Sequence, residues 1–101
     1  MRRDEIEGRL RRYLERDKKG IRKELLKLFL KGNKLTTKDI FNELSQRGIQ
    51  LNIRGVSAMV GLMSARLGIL KMELGEKNKY FIKPEYFDLV KSVLKEFESG
   101  E

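Results

Sequence analysis

Residues 36–82 hold the most constraining pattern in the chain: two helix signals in succession, each opened by a capping side chain and closed by a glycine, then two short strands. Thr36 stands where its hydroxyl can accept the unpaired N–H of residue 39, and Asp39 where its carboxylate can return the bond, which makes a capping box. Leu35 is placed to staple onto Ile40, and Gly48 suits the left-handed residue that ends a helix. This helix turns Ile40, Phe41 and Leu44 inward. After residues 49–51, Asn52 caps a second helix that runs to about Leu67 and stops at Gly68. Its core stripe is Val56, Met59, Val60, Met63 and Leu67. Leu70, Met72 and Leu74 alternate with Lys71 and Glu73, the period of a strand, and residues 80–82 supply a partner across a turn at residues 75–79. Such punctuation leaves room for two short helices, a tight turn and a hairpin.

The flanks are helical. Residues 3–17 place Ile6, Leu10, Tyr13 and Leu14 at spacings of three and four, one narrow apolar stripe that ends in the charged run before Gly20. A helix over residues 21–31 carries Ile21, Leu25, Leu28 and Phe29, widened by Leu26 and Leu30 as if buried on two sides, and Gly32 and Asn33 end it. Pro84 opens a last helix, residues 84–98, with the stripe Phe87, Val90, Leu94 and Phe97 supplemented by Tyr86 and Val93. With 101 residues and 40% hydrophobic content, the chain has material for one modest core. Residues 1–101 are therefore read as one mainly α domain with a small β-hairpin: an N-terminal helix (3–17), a central unit (21–82) and a C-terminal helix (84–98).

Cys and His are both absent, which excludes disulfide, thiolate and imidazole chemistry and removes the usual zinc ligands. Asp4, Asp17, Asp39 and Asp88 have helical or capping contexts, and no acid–base pair or activated nucleophile emerges. The expectation is a protein that is not an enzyme and takes no metal or cofactor. No apolar run approaches the roughly 20 residues that span a bilayer, so a cytoplasmic protein with no membrane partner is expected. Lys+Arg 23 against Asp+Glu 15 gives a formal charge of +8, a field that favours polyanions.

Two helices joined by a short turn and followed by a hairpin can set the second helix in a DNA groove while the hairpin touches phosphates. The stretches TTKDIFNEL, VSAMVGLMSARLGIL and KMELGEKNKYFI resemble the winged helix-turn-helix DNA-binding domains of bacterial and archaeal repressors, notably the ferric-uptake and multiple-antibiotic-resistance regulator groups. The whole chain, especially RGVSAMVGLMSARLGIL, also looks like an uncharacterised winged-helix-like family of methanogenic archaea. The repressor resemblance implies a winged helix-turn-helix flanked by terminal helices, DNA binding and transcription regulation. It also implies a homodimer, since terminal helices in such repressors supply dimer contacts. Metal sensing is not carried over, because the sensing sites of those repressors use His and Cys.

Arg54, at the start of the candidate recognition helix, is placed for a phosphate or guanine contact, and Ser57 for donation to a phosphate. Lys38 on the preceding helix and Lys77 and Lys79 at the wing tip are further phosphate contacts. No Asn, Gln or Lys follows Arg54 up to Leu67, so bidentate readout of adenine has no candidate and backbone contacts should dominate. DNA is the expected polyanion, with RNA as the other. Ala58, Gly61, Leu62 and Ala65 form a small-residue face opposite the core stripe, expected to be packed, either beneath the N-terminal helix or against another subunit. Phe87, Val90, Leu94 and Phe97 are the other interface candidates. The basic start of the chain, Arg2 included, and its acidic end, Glu85 to Glu101, invite head-to-tail pairing within a dimer. Arg9, Arg12 and Arg16 share one side of the first helix and are read as a solvated face, supported by the pairs Glu5–Arg9, Glu7–Arg11 and Glu15–Lys19. The alternative function is a winged-helix module that docks on another protein without binding DNA.

Overall fold

The computed structural model describes residues 3–99; Arg2 and Glu101, invoked above for the terminal charges, lie outside them. Among the described residues five helices and one hairpin follow in order: α1 (Arg3–Glu15), α2 (Ile21–Leu30), α3 (Thr37–Gln46), α4 (Ile53–Leu62) with a π-helical extension (Met63–Leu67), β1 (Leu70–Glu73), β2 (Lys79–Ile82), and α5 (Phe87–Ser99) after a 3-10 turn at Pro84–Tyr86. The fold is mainly α with a small antiparallel hairpin.

Local chemistry sets the element ends. α1 stops at Glu15, sooner than its spacing suggests, because Asp17 turns back to cap the next helix. Its carboxylate accepts the N–H groups of Arg22 (3.2 Å) and Lys23 (3.1 Å), a service that Gly20 at the N-cap cannot provide. The capping box of α3 forms in full: Thr36 Oγ1 accepts the Asp39 N–H at 3.0 Å, and Asp39 Oδ2 accepts the Thr36 N–H at 3.0 Å. Asn52 Oδ1 accepts the Gly55 N–H at 2.7 Å and starts α4. A side chain at Gly55 would meet Leu51, whose Cδ1 lies 2.8 Å from where its Cβ would stand. The far end of α4 widens, since the Gly68 N–H bonds the Met63 carbonyl five residues back at 3.0 Å.

The core joins Ile6, Leu10 and Leu14 of α1, Leu25, Leu26 and Phe29 of α2, Ile40 and Leu44 of α3, and Val56, Val60, Met63 and Leu67 of α4, all buried. α5 closes it by packing across α1 and α2. Val90 is 0% exposed and Leu94 3%, and Phe87 and Phe97 lean half-buried on the same core. The stripe expected to meet a second subunit is thus used inside the protomer, because α1 and α2 leave an apolar groove that only α5 fills. The terminal charges also pair internally: Arg11 with Glu96 at 2.7 Å, Lys27 with Glu98 at 3.0 Å, and Arg3 donating to the Glu85 carbonyl at 3.0 Å.

The hairpin pairs Leu70 with Ile82 and Glu73 with Lys79. Leu35 adds a one-residue third strand, exchanging backbone bonds with Tyr80 at 2.9 and 2.7 Å. Leu70 and Ile82 are buried in the core, and Tyr80 packs half-buried against it. Met72 and Leu74, which alternate with Leu70 along the strand, are 41% and 75% exposed because the hairpin overhangs the body. The order helix, bridging strand, helix, helix, hairpin from α2 to β2 is compatible with a winged helix.

Candidate nucleic-acid interface

Core contacts hold α4 from one side. Val56, Val60 and Met63 are buried beneath it, which leaves Arg54, Ser57, Ala58, Gly61 and Ala65 exposed and Leu62 half-buried. Apart from the backbone of its own helix, no atom of the described residues lies within 4 Å of the position a Gly61 side chain would take, so that stretch faces open space. α1, one of the two coverings expected for this face, does not fold over Ala58 and Gly61. It runs beside the π-helical turn instead, where Arg9 Nη1 donates to the Arg66 carbonyl at 2.9 Å. Leu62 and Ala65 therefore form a wall of the cleft between α1 and α4.

Lys38 on α3, and Lys77 and Lys79 on the hairpin, are all exposed. Asp39 lies close enough to the two hairpin lysines to feel them. The Thr36 N–H does most to hold its carboxyl below the usual range, and Lys77 and Lys79 add to that against partial burial. The carboxylate in turn tempers the positive field of the wing. Of the flanking lysines, Lys71 is exposed, while Lys83 sits 6.0 Å from the centre of the Tyr86 ring. Lys34 pairs with Glu73 at 3.1 Å and covers the Phe81 ring at 5.2 Å, which stiffens the strand behind the tip.

Two features escaped sequence reasoning. Leu74 stands 75% exposed immediately before the Gly75 turn, and Ile53 43% exposed at the start of α4, so apolar surface accompanies the cations. The signal for Leu74 is present, an apolar residue against a turn glycine, but strand alternation alone does not tell which face is buried. The second feature is the grouping of Arg9, Arg12 and Arg16 with Arg22 of α2 and Arg66 of the π-helical turn around one cleft. Helical spacing shows that three of these share a side and cannot show what faces them.

Among the described residues no three His, Cys, Asp or Glu side chains form a metal-holding group, and no helix is long and apolar enough to cross a membrane. A family described as "Protein of unknown function (DUF2551)" matches residues 10–90, from within α1 to within α5. The chain belongs to the DUF2551 family. An uncharacterized protein of Archaeoglobus fulgidus is similar to it, 63% identical over 94 residues that cover 93% of this chain and 97% of that protein. No solved structure matches. The DUF2551 match takes in α3, α4 and the hairpin together with the helices that pack on them, so family membership covers the whole candidate interface.

Proposed function

We propose that the chain is a small DNA-binding transcriptional regulator, a winged helix-turn-helix in which α3 and α4 form the helix pair and β1 and β2 the wing. The observation that carries this reading is the uncovered outer face of α4, with Arg54 near its start and small side chains at Ser57, Ala58, Gly61 and Ala65. A helix entering the major groove needs such a face. Arg54, Ser57, Lys38, Lys77 and Lys79 contact phosphates, and Leu74 gives the wing an apolar tip of the kind that reaches sugars and base steps in the minor groove. DNA is favoured over RNA because the major groove of A-form duplexes is too deep and narrow for side chains to read. In this reading the protein is cytoplasmic and non-catalytic, needs no cofactor, and binds as a homodimer on two half-sites. Its two-fold contact avoids Val90 and Leu94, which are already buried.

The test is a fluorescence-anisotropy titration with duplex DNA at several salt concentrations. Micromolar or tighter binding that weakens as salt rises is expected. No measurable binding at low salt sinks the reading.

The same open face supports a second reading, a protein-interaction module, since small residues let a partner helix approach the backbone closely. Gly61→Lys separates the two. It breaks a stable assembly seen by sedimentation in the docking case, and leaves assembly intact while changing DNA affinity in the regulator case.

A further inference from the structure

The cleft between α1 and the exit of α4 has a volume of about 530 Å³, within the range of small-molecule sites. The 23 cationic residues of the chain are ten Arg and thirteen Lys; among the described residues, five arginines line this cleft and no lysine does. Guanidinium groups grip a phosphate through a planar fork that an ammonium lacks, so this bias points to oxyanion recognition rather than to general basicity. Among the described residues no carboxylate lines the cleft. Several cations elsewhere are matched with acids: Arg11 with Glu7 and Glu96, Lys27 with Glu24 and Glu98, Arg47 with Glu24. Arg12, Arg16 and Arg66 have no such partner among the described residues, and gathering unpaired like charges opposes folding unless an anion joins them.

Part of the site is already held in place. Arg22 Nη1 donates to the Tyr13 carbonyl at 2.7 Å, and its guanidinium stacks 4.4 Å from the centre of the Tyr13 ring. A cation fixed in this way loses little freedom on binding. Tyr13 itself is 5% exposed, and its hydroxyl has no hydrogen-bond partner among the described residues. Apolar surface from the half-buried Leu62 and the exposed Ala65 stands beside the arginines, backed by the covered Leu67 and Tyr13 ring.

We infer that this cleft binds a small organic phosphate with at least two phosphate charges, such as a nucleoside polyphosphate. Its phosphates lie on Arg12, Arg16 and Arg66 with Arg22 behind, and its organic part rests against Leu62 and Ala65, over the covered Leu67 and Tyr13. The inference does not depend on DNA binding, although Leu62 and Ala65 belong to α4 and would carry occupancy of the cleft to that helix.

Calorimetric titration of the full chain with ATP and with inorganic pyrophosphate, both metal-free and at low salt, tests this. One saturable site per chain is expected, with Kd below about 1 mM, and ATP should bind more tightly than pyrophosphate because only ATP has an organic part. Arg12→Ala/Arg16→Ala and Arg66→Ala should each weaken ATP at least tenfold. Arg12→Lys/Arg16→Lys should fall between, since charge remains without the fork, and Arg54→Ala/Lys77→Ala should leave ATP binding unchanged. The absence of saturable binding by either probe overturns the inference, as does an Arg54→Ala/Lys77→Ala variant that weakens ATP as much as the cleft variants do. If neither probe binds and Arg12→Ala/Arg16→Ala instead loses duplex DNA, the arginines belong to the nucleic-acid footprint; the inference then fails while the DNA reading stands.

Discussion

Thr36 is almost wholly covered at the start of α3, and its hydroxyl is the acceptor that the Asp39 N–H would otherwise lack. Thr36→Ala removes that acceptor in a place water reaches poorly, at a cost of about 1 to 2 kcal/mol. A melt of a domain this size should show the midpoint fall by roughly 4–8 °C per kcal/mol. An unchanged midpoint would mean that the bond from the Thr36 N–H to Asp39 holds the helix start alone. Tyr13 presents the opposite case. Burial pushes its phenol up to about 12, with Arg22 pulling the other way, so it stays neutral under ordinary conditions, a buried hydroxyl without a protein partner among the described residues. Tyr13→Phe deletes an unsatisfied polar group, whose burial costs about 1 to 3 kcal/mol, and should raise the melting midpoint; a lower midpoint would show that the hydroxyl is satisfied after all. The Thr36 box is legible in sequence because a cap lies within four residues of chain. The stranded Tyr13 hydroxyl is not, since it depends on α1 meeting α2 and the π-helical turn.

Among the elements, the hairpin shows most clearly what periodicity can and cannot tell. Alternation at Leu70, Met72 and Leu74 places the three on one side, yet only the base of the hairpin lies over the body, and Leu74 ends up in solvent. The Leu35–Tyr80 bridge that anchors the base is equally hidden, because its two partners are separated by α3, α4 and β1. The π-helical turn leaves no mark in the apolar spacing either, since Met63 and Leu67 face the core in both kinds of helix. If the overhanging hairpin is a DNA-contacting wing, its charge and its apolar tip should separate experimentally. Lys77→Ala/Lys79→Ala should flatten the plot of log affinity against log salt by about 2, near 0.9 for each lost phosphate contact. Leu74→Ser should weaken binding by a similar factor at every salt concentration and leave the slope alone. A slope unmoved by the double substitution would remove the hairpin from the interface.

At the scale of the whole molecule, carboxylates act as cross-braces in a chain that is strongly cationic. Glu96 ties α5 to Arg11 of α1, Glu98 ties it to Lys27 of α2, and Glu24 joins α2 to Arg47 beyond α3. The Arg11 hydrogen bond holds Glu96 below its ordinary range. Burial works against ionisation of Glu24, but Arg47 and Lys27 together outweigh it, and Asp39 is lowered by the Thr36 N–H. All three shifts have the same sign. Each folded pKa lies below the unfolded value, so the unfolded chain binds more protons in acid and stability rises with pH through this window. The contribution is complete above the ordinary carboxylate range and is lost as pH falls through the folded values. Each exposed pair is worth little by itself in screened solvent. Their joint loss matters more here, because protonation also removes the acids that offset 23 Lys and Arg side chains and leaves the compact state to bear the repulsion. The melting midpoint at low ionic strength should therefore be nearly flat from about pH 8 to 5 and fall steadily below about pH 4. Added salt should recover part of the fall by screening the uncovered cations, which a loss arising only from helix capping would not allow. A midpoint that holds through about pH 2.5 at low salt would show that the braces between α1, α2 and α5 carry none of the stability, and that the apolar groove filled by Val90 and Leu94 fixes the terminal helices unaided.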